Sequence, residues 1–305
     1  MVDGHSDLSC ADGSCNASGI NRFREGHTVV MRSYLFILCP PYSGSTALWK
    51  LIATSEAVSV LPAEGQFLPE VRDILRRDPW NADVRLPWER IKAVWHGYWD
   101  PRKALLVEKS PPHIIRASEI ADHFRPAYFI LMVRNPYAHC EGLIRRNGWS
   151  ATESAKFSVR CLREQARNVE QLENTLCFTY EQLTENPQAI SLRIQAFMPE
   201  IGELKYTDRF SLRSLDGVAK RPLLNLNRKK INALSMQDLK EINNVLREND
   251  DIMTFWGYSY HDLAMRESMS SLGREIKTRA SGHVSKALGI LGRIRKRFAG
   301  SNSGR

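Results

Sequence analysis

No apolar run in this sequence comes near the ~20 residues that a membrane span needs. The first thirty residues are polar and small, with Asp3, Asp7 and Asp12 and no apolar block. They do not read as a secretory signal, and the expectation is a disordered leader over residues 1–30. None of the six cysteines (Cys10, Cys15, Cys39, Cys140, Cys161, Cys177) shows C-x-x-C spacing. Such scatter argues against a zinc site or any other metal and fits reduced thiols in a cytoplasmic protein. The chain also lacks an internal repeat. Its body lacks net charge, although the whole carries +9. Residues 273–305 hold nine Lys or Arg and one acid, so the tail supplies +8 and the rest is close to neutral. A nucleic-acid-binding fold would need its basic face on the body, so no nucleic-acid partner is expected.

What is present is a set of short buried strands alternating with helices. Tyr34–Leu38 is a continuous apolar run that ends in Pro40-Pro41 and a small-residue loop, before Leu48, Leu51 and Ile52 recur at helical spacing. Ala104–Val107, Tyr128–Val133 and Leu176–Thr179 read as further strands. Pro136 stands where a helix opens, Ser150 and Glu153 have capping-box spacing, and Ser235 and Asp238 start a helix that ends near Asp250. Trp256-Gly257-Tyr258 closes the globule. The Trp-rich stretch from Trp80 to Trp99 reads as a helical insertion, either core packing or a lid. This alternation predicts an α/β fold: a P-loop-like parallel sheet flanked by helices on both faces, with helical insertions, over residues 31–263. Residues 264–305 form a basic, partly amphipathic tail with a helical pattern from Val284 to Phe298. Three glycines weaken that helix. It would be a solvated tail or a contact to an acidic partner or a membrane surface.

The special loops all fall at the carboxyl ends of strands, where open α/β sheets bind ligands. In the loop Cys39-Pro-Pro-Tyr-Ser-Gly-Ser-Thr46, backbone N–H groups and a helix N-terminus converge on one spot. Gly44 permits a tight turn, and Ser43, Ser45 and Thr46 add hydroxyls. The loop has one glycine and no lysine, which disfavours ATP or GTP hydrolysis and a P-loop kinase.

With these blocks in place, the sequence resembles the sulfotransferases that use 3′-phosphoadenosine 5′-phosphosulfate (PAPS), closest in motif detail to the tyrosylprotein and bacterial branches. Pro41–Thr46 looks like that family's 5′-phosphosulfate loop. Phe129–Pro136 looks like its 3′-phosphate-binding strand and turn. Thr179–Leu183 with Asn186-Pro187 looks like the later strand-to-helix segment. The resemblance implies that Tyr42, Ser43, Gly44, Ser45 and Thr46 cradle the donor, that Arg134 grips the 3′-phosphate with Arg146 assisting, and that Tyr180 lines the nucleotide site. It implies Glu64 as catalytic base, Lys109 as a cation at the sulfuryl group, and Ser214 in a loop closing over the donor. Lys220, Lys229 and Lys230 are further phosphate contacts to weigh. Two positions depart from the pattern: Tyr42 replaces a loop lysine or arginine, and Gly142 replaces the serine eight residues after the arginine. His96, His113 and His139 are surrogate acid–base groups or ordinary structural residues. The function expected is sulfuryl transfer from PAPS to a hydroxyl or amine of unknown class, without a metal. The alternative is a catalytically silent binding protein of the same fold.

Overall fold

The computed structural model describes residues 32–206 and 223–264, and residues 210–214 and 217–221 by backbone alone. The leader and nearly all of the basic tail lie outside the described residues, as do the side chains of Ser214 and Lys220. Five strands form one parallel sheet: β1 (Ser33–Leu38), β2 (Val58–Val60), β3 (Leu105–Glu108), β4 (Ala127–Val133) and β5 (Thr175–Thr179), in the spatial order β2-β3-β1-β4-β5. Leu35 stands beside Val107 on one neighbour and Tyr128 on the other, and Leu38 beside Leu131. The central strands are apolar at nearly every position because both faces are covered. β2, only three residues long, passes as a mere apolar run in the sequence; its pairing with β3 makes it an edge strand. A separate antiparallel hairpin, β6 (Phe210–Ser214) with β7 (Gly217–Arg221), stands where the sequence reads as a serine-bearing loop.

Period-2 alternation sorts the strand residues onto two cores. Leu35, Ile37, Val107, Ile130 and Met132 pack beneath α1 (Ser45–Ile52), together with α7 (Tyr180–Glu185) and α8 (Pro187–Phe197). Phe36, Leu38, Leu106, Phe129 and Leu131 pack on the other face. They meet α2 (Pro69–Leu75), α3 (Trp88–Tyr98) and α4 (Ala117–His123). Trp88, Trp95 and Trp99 are buried there, Trp95 stacked on Phe124 with ring centroids 5.6 Å apart, so the Trp-rich insertion is core. A third core joins α5 (Pro136–Asn147) and α6 (Ala151–Gln171). Against them pack α9 (Asn227–Ala233), α10 (Met236–Arg247) and α11 (Asp250–Trp256).

Local signals set the helix boundaries. Asn135 caps α5, accepting from Tyr137 N at 3.1 Å, with Pro136 in the first turn and Gly148 ending the helix at φ 70°. The capping boxes at Ser150/Glu153 and Ser235/Asp238 form as their spacing requires. The late helix is broken: α10 stops at Arg247, Asn249 leaves helical geometry, and α11 restarts at Asp250. Pro111-Pro112 likewise winds residues 111–116 as a 3-10 turn before α4. Among the described residues no helix is long and apolar enough to cross a membrane.

His139 on α5 is buried against α6, its Nδ1 3.0 Å from Ser158 Oγ. Burial, then the charges of Arg134 and Lys230, pull its pKa from 6.5 down to about 3. Below the ordinary value the unfolded chain takes up a proton that the folded chain refuses. Stability is therefore expected to be full above 6.5 and to fall as pH drops from there toward 3. His96, held low by burial and then by Arg32 and Lys92, adds in the same direction. In urea unfolding between about pH 7 and about pH 5, His139→Gln is expected to flatten the slope. A slope as steep as that of the wild type would contradict the assignment.

Candidate functional site

Parallel strands end on the same edge, so the order of the strands becomes the order of the functional groups. Along that edge stand Glu64 beyond β2, Lys109 beyond β3, the loop 39–44 beyond β1, Arg134 beyond β4 and Tyr180 beyond β5. Neighbouring strands lie about 4.8 Å apart, so each group is one such step from the next in backbone terms. The loop leaving β1 turns into α1, whereas the chain leaving β4 turns into α5 and the third core. The strand order reverses between them, which is where open α/β sheets place their ligands.

On the first side, Lys109 forms an ion pair with Glu64 Oε1, and Gln66 Nε2 donates to Glu64 Oε2 at 2.5 Å. The pair is stitched from both flanks. Along the extended end of β3, Glu108 and Ser110 point opposite to Lys109. Gly65 N donates to Glu108 Oε1 at 2.8 Å, and Gln66 N donates to Ser110 Oγ at 3.2 Å. The residues around Lys109 thus hold the backbone around Glu64. Burial alone would raise the Glu108 pKa; the nearby His113 and the hydrogen bonds from Ser110 and Gly65 outweigh it, and the carboxyl lies below its ordinary value. His113 Nδ1 is 2.7 Å from Glu108 Oε2, although off the line of a good hydrogen bond. A β-carbon on Gly65 would lie 2.7 Å from Trp95 and 2.8 Å from Glu108 Oε1, so only glycine allows this approach.

In the loop, Tyr42 and Gly44 both have positive φ, 60° and 92°. Ser43 is fully buried, and its hydroxyl donates to Pro40 O and closes the turn. Gly44 sits at the N-cap of α1 without a side-chain cap, so the first N–H groups of α1, at Ser45 and Thr46, have no acceptor within the helix. That end carries positive potential and open donors. Ser45 is buried and Thr46 half-buried beside them. The Tyr180 ring covers Gly44 so closely that a β-carbon there would lie 2.6 Å from it.

On the far side, Arg134 is 4% exposed. Its Nη1 donates to Tyr42 O at 3.0 Å, its Nε donates to Asn227 Oδ1 at 2.7 Å, and its Cζ lies 3.9 Å from the Tyr180 ring centroid. Its Nη2 is buried without a hydrogen-bond partner among the described residues. Burial pulls the guanidinium pKa down, and Tyr180, Glu181 and Glu141 pull it back. A guanidinium stays charged under either influence. Arg146 is exposed and stands over the Tyr42 ring at 5.5 Å, reaching the site through Tyr42, whose hydroxyl donates to Asn147 Oδ1 at 2.6 Å.

The structure adds groups that sequence reasoning left unranked or missed. Lys230 forms an ion pair with Glu141, which also accepts from Arg145 Nε at 2.5 Å. Burial, against the hydrogen bond that Lys230 donates to Glu141, brings the Lys230 pKa down to about 8. Asn227 contacts Arg134 and Glu181 contacts Asn227; Glu181 lies in the Thr179–Leu183 block without being singled out there, and no motif marks Asn227, whose partners are 93 and 46 residues away. His113, His139 and His96 are taken up by Glu108, Ser158 and Tyr34 respectively.

The profile of a family described as "Sulfotransferase family" matches residues 35–200, more than half of the chain. Among solved structures, a sulfotransferase domain from the curacin biosynthetic pathway is 15% identical, covering 76% of this chain and 99% of its own, with a TM-score of 0.46. A sulfotransferase from Mycobacterium avium is 14% identical over 76% of this chain and 78% of its own, with a TM-score of 0.42. A mouse sulfotransferase complexed with PAP is 13% identical over 82% of this chain and 89% of its own, with a TM-score of 0.41. No curated protein matches the chain in sequence.

Tyr42 and Gly142, the two departures from the expected pattern, prove to be in contact. A β-carbon at position 142 would lie 2.8 Å from Tyr42 Cβ and 3.2 Å from Lys230 Nζ. Gly142→Ser is therefore expected to destabilise by about 1–3 kcal/mol, as overpacking does. In a Tyr42→Gly background, which keeps the positive φ and removes the clash, the same change is expected to be neutral or stabilising. Urea unfolding of the four proteins measures the coupling. Additive effects would show that the two positions are independent.

Proposed function

The chain belongs to the sulfotransferase family, and on that premise we propose that it transfers a sulfuryl group from PAPS to a hydroxyl or amine acceptor. The observation that carries this reading is the linear order of groups on the sheet edge: a carboxylate and a lysine on one side of an anion-binding helix N-terminus, a buried arginine with an unused donor on the other. The residues fit such a donor at both anionic ends. The open N–H groups of α1, with Ser45 and Thr46, would hold the 5′-phosphosulfate. Arg134, through Nη2, would hold the 3′-phosphate, with Tyr180 between the two.

Glu64 is the base. It would take the acceptor's proton as the acceptor oxygen or nitrogen bonds to sulfur. The bond from sulfur to the bridging oxygen breaks, and its electron pair stays on the departing phosphate. Both oxygens of Glu64 are engaged in the free protein, by Lys109 and Gln66. Each oxygen still has a free acceptor site, so an acceptor can join these partners or displace one of them. Displacing Lys109 would release its ammonium toward the sulfuryl oxygens, where positive charge stabilises the transfer. A second reading, a silent binding protein, rests on Tyr42, which leaves the loop itself without a cation.

Calorimetry and radiolabel transfer separate the two. Adenosine 3′,5′-bisphosphate is expected to raise the melting temperature, with about 2.7 kcal/mol of stabilisation at a hundredfold excess over Kd. Arg134→Ala is expected to abolish the shift. Labelled sulfate should pass from PAPS to an acceptor, and Glu64→Gln should slow that step by about 10²–10⁴-fold. No shift in folded wild-type protein would sink the donor assignment. A shift without transfer to any acceptor would favour the silent reading.

A further inference from the structure

Arg134 is held by neutral groups only, yet a carboxylate stands within reach of its surroundings. Its direct partners are the Tyr42 carbonyl, the Asn227 amide oxygen and the Tyr180 ring. Glu181 is one residue further out. Its Oε1 accepts from Asn135 N at 3.0 Å and from Asn227 Nδ2, and its Oε2 accepts from Tyr258 OH at 3.3 Å. Asn227 is thus the bridge between them, itself 8% exposed.

The orientation of that bridge is forced. A carboxylate only accepts and a guanidinium only donates, so the amide nitrogen must face Glu181 and the amide oxygen must face Arg134. Had Glu181 met Arg134 directly, the two charges would have paired, and little attraction for an incoming anion would remain. With Asn227 between them, the arginine is aimed by hydrogen bonds and keeps its charge and its Nη2.

The same residues seat the chain that follows the hairpin. Tyr180 OH donates to Leu224 O at 2.8 Å, and Leu226 N donates to Tyr180 OH at 3.3 Å. Tyr180 and Glu181, adjacent at the end of β5, therefore tie residues 224–227 over the arginine. Asn227 also opens α9, which carries Lys230 against Glu141 and the face of Gly142.

We propose that Asn227 and Glu181 are positioning residues that set selectivity for a 3′-phosphorylated nucleotide: Glu181 orients Asn227, and Asn227 aims Arg134 while insulating it from the carboxylate. This rests on the reading of Arg134 as the 3′-phosphate ligand.

The test compares affinity for adenosine 3′,5′-bisphosphate with affinity for adenosine 5′-monophosphate, by titration calorimetry on the full chain. The wild type is expected to prefer the bisphosphate. Asn227→Ala should reduce that preference by about tenfold or more, the scale of a charge-assisted contact, while monophosphate affinity stays within about twofold. Asn227→Asp, which puts a carboxylate on the arginine, should reduce it further. Glu181→Gln keeps an oxygen for Asn135 N and Asn227 Nδ2 and turns its amide nitrogen to the Tyr258 hydroxyl oxygen, so it should retain the preference, whereas Glu181→Ala should lose it as Asn227→Ala does. If the Asn227 variants lose their cooperative unfolding transition, the Glu181→Gln and Glu181→Ala pair reads the same ratio. A preference that survives Asn227→Ala and Glu181→Ala, or an equal loss for both nucleotides, overturns the proposal and leaves the donor assignment standing. A wild type that binds the monophosphate as well as the bisphosphate removes the 3′-phosphate role from Arg134, and this proposal falls with it.

Discussion

The site depends on the position of β1 between β3 and β4. Its apolar residues are buried on both faces and paired on both edges, Ile37 beside Ile130 and Phe36 beside both Glu108 and Phe129. A strand so held cannot slip by one residue without moving its core side chains to the opposite face. The loop that leaves it is therefore delivered to one place, with the Glu64–Lys109 pair on one hand and Arg134 on the other. The chain crosses from the β2–β3 side to the β4–β5 side of this strand, which sets the two flanks on either side of the loop.

The two flanks are built differently because they hold charge differently. Glu64 and Lys109 neutralise each other, the lysine buried and the glutamate partly so, and their geometry is maintained through backbone N–H groups gripped by Glu108 and Ser110. Arg134 is buried and surrounded by neutral acceptors and an aromatic face, so its charge is oriented without being cancelled. A buried cation with an unfilled donor is costly to the fold. Its retention beside an open helix N-terminus is the kind of strain that accompanies anion-binding sites. At Gly44 the Tyr180 ring, and at Gly65 the Trp95 ring with Glu108 Oε1, stand where a β-carbon would otherwise be.

Tyr42 and Gly142 read as two separate losses when viewed along the chain. In the fold they are one packing arrangement: the Tyr42 β-carbon fills the space that a side chain at position 142 would occupy, and Lys230 stands over the same spot. Positive charge near the loop comes from other elements, Arg146 over the Tyr42 ring and Lys230 from α9. The loop is neutral, and its surroundings are not.

Much of this was legible in the sequence. The apolar runs at 34–38, 105–107 and 128–133 have no polar position to spare, and only a sheet buried on both faces accepts that pattern. Capping residues at Asn135, Ser150 and Ser235 act within one turn, so their effect is local and readable. The loop, Lys109 and Arg134 each follow directly on a strand, which places them at the sheet edge once the strands are known. The short edge strand and the β6–β7 hairpin were not legible, because three-residue and loosely alternating segments become strands only when a partner supplies hydrogen bonds. Nor could the sequence show that Glu64 meets Lys109 across 45 residues or that Asn227 meets Arg134 across 93. The order β2-β3-β1-β4-β5 differs from chain order, and only the folded sheet decides which strand ends become neighbours. The sequence by itself determined the loop after β1, its helix and the cations that follow strands, because those depend on contacts a few residues long. Tertiary structure alone decided that Tyr42 and Gly142 are a single feature and that the Asn227 amide stands between Glu181 and Arg134, because those depend on which distant side chains share a few ångströms of space.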